Sequence, residues 1–395
     1  MRKLKMKQAV VAGILGAAMV MSMGCGQTAP AKEEAPAQEE AAEEAPAEEA
    51  AEEENAVEEA PAADVDMDLK VGLLGTSIKP VGVLVADALG YFEEEGVNVE
   101  FEKVSSMNDA FIAVSTGDLD AYFFSSTAPA TFISQGTDTL RIIGGTVGEG
   151  SEIMAPIGTD IKLDGPESFK GLRIACQMPE TGQMVLKNYL IENGLTIGAD
   201  GEDADVTFIY VEDGNTAVNG VVKGEYDLCI TNQSLGYYAA DLGVEVINAV
   251  RDFVEVYPCC RQTAYSGTVE NQPEALTAFE VAVLRGYEYY LLYEEETLDI
   301  LEAYSGEDRE FLRGQIYGTD TYTPVMRVSP DPDKKACVAF YEAMVNLGLV
   351  EVNADIDWND YVVTDFYDAA LAIMEEREPD TALWVDMRAY FDAHN

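Results

Sequence analysis

Short polar segments follow several of the predicted strands, and their residue types suit the binding of a small molecule. Hydroxyl and amide side chains donate and accept hydrogen bonds, and two basic residues could meet a negative charge. A glycine at a predicted helix start exposes backbone N–H groups, which favour anions. These candidate ligand-binding residues are Thr76, Ser77, Lys79, Ser125, Ser126, Thr127, Thr181, Gly182, Asn232, Gln233, Ser234, Cys260 and Arg261. Together they predict a site for a small ligand with an anionic or amide-like group.

Each of these residue types also has a structural explanation. A Ser or Thr before a helix commonly caps it. Arg261 could pair with one of the many acidic side chains, since the chain has 73 Asp and Glu residues. One ring of Tyr122, Phe123 and Phe124 could stack on a ligand, but strand alternation places at least one of them in the core.

The charge and the histidine content exclude several classes of protein. The chain has 395 residues and a formal charge of -49, so its field opposes nucleic acid phosphates and anionic lipids. Its single histidine, His394, is next to the last residue. A catalytic triad, a histidine general base and a histidine-ligated zinc site are therefore not expected. We predict a binding protein without catalytic residues, cofactor, metal or nucleic-acid partner.

The cysteines are predicted to be mainly structural. Cys176, Cys229 and Cys337 lie in apolar segments and are expected to be buried. A Cys176–Cys229 disulfide remains possible in an exported protein. Cys259–Cys260 could form only a strained vicinal disulfide, and two thiolates without histidine make a poor metal site. One of the pair is expected to face a cleft and the other the core.

The first residues resemble an export signal. Four basic residues precede the apolar run 9–21, which is too short to span a bilayer. Ser22-Met23-Gly24-Cys25 resembles a bacterial lipobox, so residues 1–24 are predicted to be a signal peptide and Cys25 to be lipidated. Ordinary signal-peptidase cleavage is the alternative. Both place the protein outside the cytoplasm, and lipidation anchors it at the outer face of the cytoplasmic membrane.

Residues 25–67 are predicted to be a disordered tether. The segment is dominated by Ala, Glu and Pro, and its thirteen Glu, two Asp and one Lys give a net charge of -14. It has too few large apolar side chains to form a core.

The remaining 328 residues alternate between strand and helix patterns. They exceed what one core usually supports, so two lobes are predicted. We assign residues 68–157 and 252–395 to lobe I, and residues 158–251 to lobe II. Strands separated by helices indicate a parallel α/β sheet, and ligands bind such sheets beyond the carboxyl ends of the strands.

Five segments along this region resemble one known family in order and spacing. They are Ala88-Leu89-Gly90-Tyr91-Phe92-Glu93-Glu94-Glu95-Gly96-Val97, Gly117-Asp118-Leu119-Asp120-Ala121, Ala128-Pro129-Ala130, Phe169-Lys170-Gly171-Leu172-Arg173-Ile174-Ala175, and Tyr257-Pro258-Cys259-Cys260 before Asn271-Gln272-Pro273-Glu274-Ala275. The first is similar to the "GYF-x-x-EGL" signature of solute-binding proteins of ABC importers, in the nitrate/sulfonate/taurine and NMT1/THI5-like group. The resemblance covers residues 68–350.

This resemblance implies a type II periplasmic-binding fold, in which two α/β lobes joined by two crossovers close on a ligand. It also implies a monomer that delivers its ligand to an ABC permease and ATPase complex. A sensor subunit for a membrane receptor is an alternative. A pyrimidine synthase of the same family is another, although this chain lacks a suitable histidine. The ligand could be sulfonate-, nitrate- or taurine-like, or a thiamine-type pyrimidine.

Overall fold

The computed structural model describes residues 66–232, 234–351, 353 and 355–395. The predicted signal peptide, Cys25 and all but the last two residues of the predicted tether lie outside this range. Within the described residues, no helix combines the length and apolar character needed to cross a bilayer.

The described chain alternates between strands and helices. The strands are β1 (Asp68–Leu74), β2 (Asn98–Val104), β3 (Ala121–Tyr122), β4 (Leu140–Glu149), β5 (Ser151–Pro156), β6 (Arg173–Gln177), β7 (Ile197–Gly198), β8 (Val206–Val211), β9 (Leu228–Asn232), β10 (Val244–Ala249), β11 (Pro258–Tyr265) and β12 (Met326–Val328). The helices are α1 (Val81–Leu89), α2 (Tyr91–Glu94), α3 (Met107–Thr116), α4 (Thr127–Ser134), α5 (Thr181–Glu192), α6 (Gly214–Val222), α7 (Ser234–Tyr237), α8 (Ala239–Leu242), α9 (Ser266–Asn271), α10 (Pro273–Leu292), α11 (Glu294–Ser305), α12 (Arg309–Ile316), α13 (Lys334–Asn346), α14 (Asp365–Arg377) and α15 (Ala382–His394). Short 3-10 turns cover Pro166–Phe169, Val250–Asp252 and Trp358–Tyr361.

The strands form two six-stranded sheets, one for each lobe, which confirms the α/β fold class. The first sheet has the order β12-β4-β11-β3-β1-β2, and the second has the order β10-β5-β9-β6-β8-β7. β1, β2 and β3 run parallel, as do β6, β7, β8 and β9. The sheets are nevertheless mixed, because β4, β5, β10, β11 and β12 form the antiparallel pairs.

The chain passes between the two sheets at Gly150. β4 ends at Glu149 in the first sheet, and β5 begins at Ser151 in the second. The predicted passage is after residue 157, so residues 151–157 move from lobe I to lobe II. The turn is in the segment Gly148-Glu149-Gly150-Ser151, where Glu149 and Gly150 have φ values of 63° and 98°. The second passage joins β10 to β11.

The sequence pattern predicts a helix from Val83 to Glu95, a helix capped by Ser105 or Ser106 and running to about Thr116, and a loop over residues 257–262. Two of these local predictions need correction. The helix predicted from Val83 to Glu95 is divided into α1 and α2 by Gly90, whose φ of 74° is in the left-handed region. Residues 257–262, predicted to be a loop, lie mostly in β11, which pairs with β4 through several irregularities. The helix predicted to start after Ser106 is confirmed, and the Ser106 side chain accepts a hydrogen bond from the backbone N–H of Asp109.

The lobe II strands also explain the state of two cysteines. Cys176 and Cys229 are on the paired strands β6 and β9, but Cys229 is opposite Ala175 and Cys176 is opposite Ile230. Neighbouring positions along a strand point to opposite faces of the sheet. Both thiols are accordingly free and lie in different hydrophobic clusters.

Candidate ligand-binding site

The carboxyl ends of three lobe II strands enclose a cavity of about 190 Å³. β6 and β9 contribute their last residues, and the start of α6 follows β8. The lining residues are Gln177, Glu180, Gly214, Asn215, Ile230, Thr231, Asn232 and Leu235. The cavity therefore lies where parallel α/β sheets bind ligands. Its polar side chains are three amides, one hydroxyl and one carboxylate.

A larger cavity of about 260 Å³ lies between α5, α13 and the chain around Tyr257. No carboxyl end of a parallel strand contributes to its lining. We therefore place the ligand in the smaller cavity, where polar groups from three strand ends converge.

Glu180 is the N-cap residue of α5. Its carboxylate accepts hydrogen bonds from the backbone N–H groups of Gly182 and Gln183, at 3.0 and 2.7 Å. The Ser151 hydroxyl donates to the same carboxylate. The N–H groups that the sequence analysis assigns to a ligand anion thus already have an anionic partner. Gly182 has a packing role, since a Cβ there would lie 2.1 Å from the Ser151 Oγ atom.

A second acidic residue, Asp213, is the N-cap residue of α6. The Asp213 carboxylate accepts a hydrogen bond of 2.7 Å from the backbone N–H of Thr216. This bond stabilises the charged carboxylate, which lowers the pKa of Asp213. The two longer helices that begin beside the cavity, α5 and α6, are therefore each capped by a carboxylate.

Thr231 is a buried polar residue of the cavity wall. The residue is 3 % exposed, and its hydroxyl has no hydrogen-bond partner among the described residues. Buried hydroxyls usually have a partner, because an unpaired one costs desolvation energy. Thr231 therefore has hydrogen-bonding capacity available to a ligand.

Lys79 faces this region from lobe I. Its ammonium lies 5.9 Å from the centre of the buried Phe124 ring. Electrostatic interaction with Cys259, and then with Cys260 and Glu180, raises the pKa of Lys79 against the opposing effect of burial. The segment after β1 thus lies near enough to the β11 cysteines and to Glu180 for them to interact with the charge of Lys79.

Ser125, Ser126 and Thr127 lie between β3 and α4. The Ser125 and Thr127 hydroxyls are 2.7 Å apart and share a hydrogen bond. Ser126 is fully buried, and both its backbone N–H and its hydroxyl donate to the Cys259 carbonyl, at 3.0 and 3.2 Å. Ser126 therefore joins β11 to this segment, and the structure assigns it a structural role.

Arg261 does not reach the cavity. It is fully buried, and its guanidinium pairs with Asp333 at 2.8 Å. The guanidinium also donates to the carbonyls of Pro332, Val147 and Cys260. The sequence analysis names Arg261 as a ligand residue, but its position inside lobe I corrects that prediction. Its alternative, pairing with an acid, is what the structure shows.

Cys259 and Cys260 form a pair beside Lys79. Their sulfur atoms are 3.8 Å apart, and both thiols are free. The hydrogen bond from Cys259, together with the nearby Lys79 and Arg261 charges, lowers the pKa of the Cys260 thiol, while the same pairing and burial raise that of Cys259. In the described part of the chain, no group of three or more His, Cys, Asp or Glu side chains could hold a metal ion.

The other predicted residues divide into three groups. Asn232 lines the cavity and is exposed. Thr76 is exposed, Ser77 is half-buried near Lys79, and Thr181 is buried in the first turn of α5. Gln233 and the Ser234 side chain lie outside the described parts of the structure.

The two lobes touch through aromatic side chains that the sequence analysis missed. Tyr237 of lobe II contacts the rings of Phe311 and Tyr322 from lobe I, with centroids 5.5 and 5.8 Å apart. Tyr238 stacks on Phe311 at 5.2 Å. The Tyr322 hydroxyl also donates to the Glu152 carboxylate of β5, whose other oxygen accepts the Gly236 N–H. The one sequence feature that could have indicated these contacts is the pair of adjacent aromatic residues Tyr237 and Tyr238 after β9.

Two sheets of this order, with polar strand ends facing each other, define a two-lobed periplasmic-binding fold. The NrtA nitrate-binding protein from Synechocystis PCC 6803 is similar with a TM-score of 0.60 and 16 % identity, over 79 % of this chain and 90 % of that one. The SsuA sulfonate-binding protein from Methylobacillus flagellatus KT is similar with a TM-score of 0.59 and 15 % identity, over 79 % and 96 %. At these identities the similarity establishes the shared fold.

The family follows from the sequence match. The family model described as NMT1/THI5 like matches residues 78–297, which is more than half of the chain. The chain therefore belongs to the NMT1/THI5-like family, which confirms the resemblance seen in the sequence. Among curated proteins, no sequence matches this chain.

Proposed function

We propose that this protein is the solute-binding component of an ABC importer, a binding protein and not an enzyme. The cavity at the strand ends of lobe II carries this proposal, together with Lys79 of lobe I, which is near enough to Glu180 to interact with its charge. The family membership and the similarity to NrtA and SsuA, which are named as binding proteins, support it. The protein captures a small molecule between its lobes and presents it to a permease.

Closure of the lobes supplies the signal for delivery. Tyr237, Phe311 and Tyr322 hold the lobes together beside the cavity. A ligand that contacts both lobes stabilises the closed arrangement, because it binds that state more tightly than the open one. The permease can then distinguish loaded from empty protein by its shape.

The test is a ligand screen followed by substitutions in each lobe. A panel of sulfonates, nitrate, pyrimidines, amines and amino acids is screened by thermal unfolding, since a bound ligand raises the midpoint. A true cleft ligand should change its affinity in Lys79→Ala of lobe I and lose affinity in Asn232→Ala of lobe II. The exposed Asn193→Ala at the far end of α5 is the control. A ligand affected by neither substitution would contradict a site between the lobes.

We further propose that Cys25 is lipidated and anchors the protein outside the cytoplasmic membrane. Its position directly after an apolar signal-like run supports this. Wild-type protein expressed in bacteria should partition with membranes and incorporate labelled fatty acid, and Cys25→Ser should do neither. Equal incorporation in both proteins would refute the anchor at Cys25.

A further inference from the structure

The lobe II side of the cleft has the chemistry of a site for a positively charged group. Its cavity is lined by the Glu180 carboxylate, by the Gln177, Asn215 and Asn232 amides and by the Thr231 hydroxyl. None of the lining side chains of this described cavity is basic. Carboxylate, amide and hydroxyl oxygens all accept hydrogen bonds from N–H groups.

The backbone donors that could otherwise attract an anion are already used. Glu180 accepts from the first N–H groups of α5, and Asp213 accepts from the first turn of α6. Each carboxylate compensates the positive end of its helix dipole. An oxyanion in this cavity would meet the Glu180 carboxylate, and the N–H groups that bind Glu180 and Asp213 would not be available to it.

A separate observation indicates that the cavity is built to hold a ligand. The Thr231 hydroxyl is buried and has no partner within the described structure, although the residue lines the cavity. Buried hydroxyls without partners are uncommon and costly. A ligand N–H group would supply the missing partner, as would other polar ligand groups.

The two basic residues predicted for this site, Arg261 and Lys79, do not remove its preference for a positively charged group. Arg261 is committed to Asp333 inside lobe I. Lys79 is not among the residues that line the cavity, and its charge interacts with Glu180 and with the two β11 cysteines. The formal charge of -49 on the whole chain also attracts cations and repels anions at long range.

We propose that the lobe II half of the cleft binds a ligand through a cationic, N–H-donating group, such as a protonated amine, amidine or guanidine. Glu180 is the residue that selects this group and rejects oxyanions. This inference rests on the proposed solute-binding function and names the ligand class for the same site.

The test compares matched probes of opposite charge on the purified protein. Benzamidinium is titrated against benzoate, and butane-1,4-diammonium against succinate, with nitrate and ethanesulfonate as further anions. We expect the cations to bind at least about tenfold more tightly than their anionic partners, as charged hydrogen bonds of this kind allow. Anions that bind as tightly as the cations, or the absence of binding by every cation, would overturn the inference.

Substitutions then locate the bound cation. Glu180→Gln should weaken cation binding about tenfold, whereas Glu192→Gln, at the other end of α5, should leave it unchanged. Because Glu180 also caps α5, Thr231→Val and Asn232→Ala provide variants that keep the cap, and both should weaken binding. Cation binding that all three variants leave unchanged would place the cation elsewhere and overturn the inference.

The two proposals fail in different ways. An oxyanion that binds in the cleft, with affinity lost in Lys79→Ala and Asn232→Ala, would overturn the cationic ligand and leave the solute-binding function standing. A cation that binds outside the cleft and does not bring the lobes together would count against both.

Discussion

At the scale of single residues, the buried charge of Arg261 is balanced by the carboxylate of Asp333. Both side chains are fully buried and their charged atoms are 2.8 Å apart. Arg327 also pairs with Asp333, and the Tyr390 hydroxyl donates to it. Removing one member of such a group leaves a buried charge without its partner, which costs much more than the pair contributes.

We expect Asp333→Asn to lower the free energy of unfolding by about 3 kcal/mol, measured by urea denaturation. Asn suits this position, because residue 333 has a φ of 49° and Asn tolerates the left-handed region. The control is Glu167→Gln, which removes an exposed pair with Lys170 and should leave stability unchanged. A similar stability in both variants would show that the buried pair is dispensable.

Glu280 is a buried acid whose protonation should affect stability. It is fully buried in α10, and Gln262 donates to one of its oxygens at 3.2 Å. Burial raises the pKa of Glu280 to about 8, so the folded state holds its proton more tightly than the unfolded state. The stability due to this proton is complete below the ordinary pKa of Glu and is lost as the pH rises to about 8.

Glu280→Gln should therefore flatten the fall in stability at high pH. Between pH 5 and pH 8 we expect the wild type to lose about 3 kcal/mol more than the variant, in urea unfolding at each pH. The exposed Glu274→Gln in the same helix should follow the wild-type curve. Parallel wild-type and Glu280→Gln curves would mean that this carboxyl is not neutral in the folded protein.

At the scale of elements, α12 has a glycine where lobe II touches it. A Cβ at Gly314 would lie 2.3 Å from the Tyr237 ring, which is too close for any packed contact. The ring occupies the space left by the missing side chain. Contact between the lobes at this point therefore depends on residue 314.

Gly314→Ala should weaken ligand binding without weakening the fold. Alanine favours the helix, so lobe I should be as stable or more stable. Its methyl group should displace Tyr237 and open the cleft, which lowers affinity because the ligand needs the closed state. Titration calorimetry with any ligand found in the screen measures the loss, with the exposed Glu310→Ala of α12 as the control. Unchanged affinity in Gly314→Ala would show that this contact does not control closure.

The elements differ in how far the sequence predicts them. The sequence predicts α3, and it predicts a helix that begins over Pro179–Gly182 and runs to about Glu192, which is α5; both helices are present, because caps, spacing and apolar periodicity agree there. β5 and β11 were missed, since they are antiparallel strands at the two passages between sheets and have no helix on one side to mark them. For the site, the strand-end rule locates the cavity, but it does not reveal that Glu180 occupies the start of α5.

At the scale of the whole molecule, the length of the region predicts two lobes, and the alternation of strand and helix patterns predicts their α/β class. It could not predict which buried charges pair, because Arg261 and Asp333 are 72 positions apart in the chain. The same limit applies to Tyr237 and Phe311, which meet only when the lobes approach. Long-range contacts of this kind depend on the packing of complete lobes.

The burial of Glu152 at the point where Tyr322 of lobe I contacts it links closure of the lobes to the uptake of a proton. Burial raises the pKa of Glu152 to about 7 in the arrangement seen here, and separation of the lobes would return water to it. Closing near pH 6 should then draw a proton from the buffer, so the measured heat of binding should differ between phosphate and Tris. Affinity should fall as the pH rises through about 7, and Glu152→Gln should abolish both effects. Equal heats in the two buffers would show that Glu152 keeps its proton state during closure.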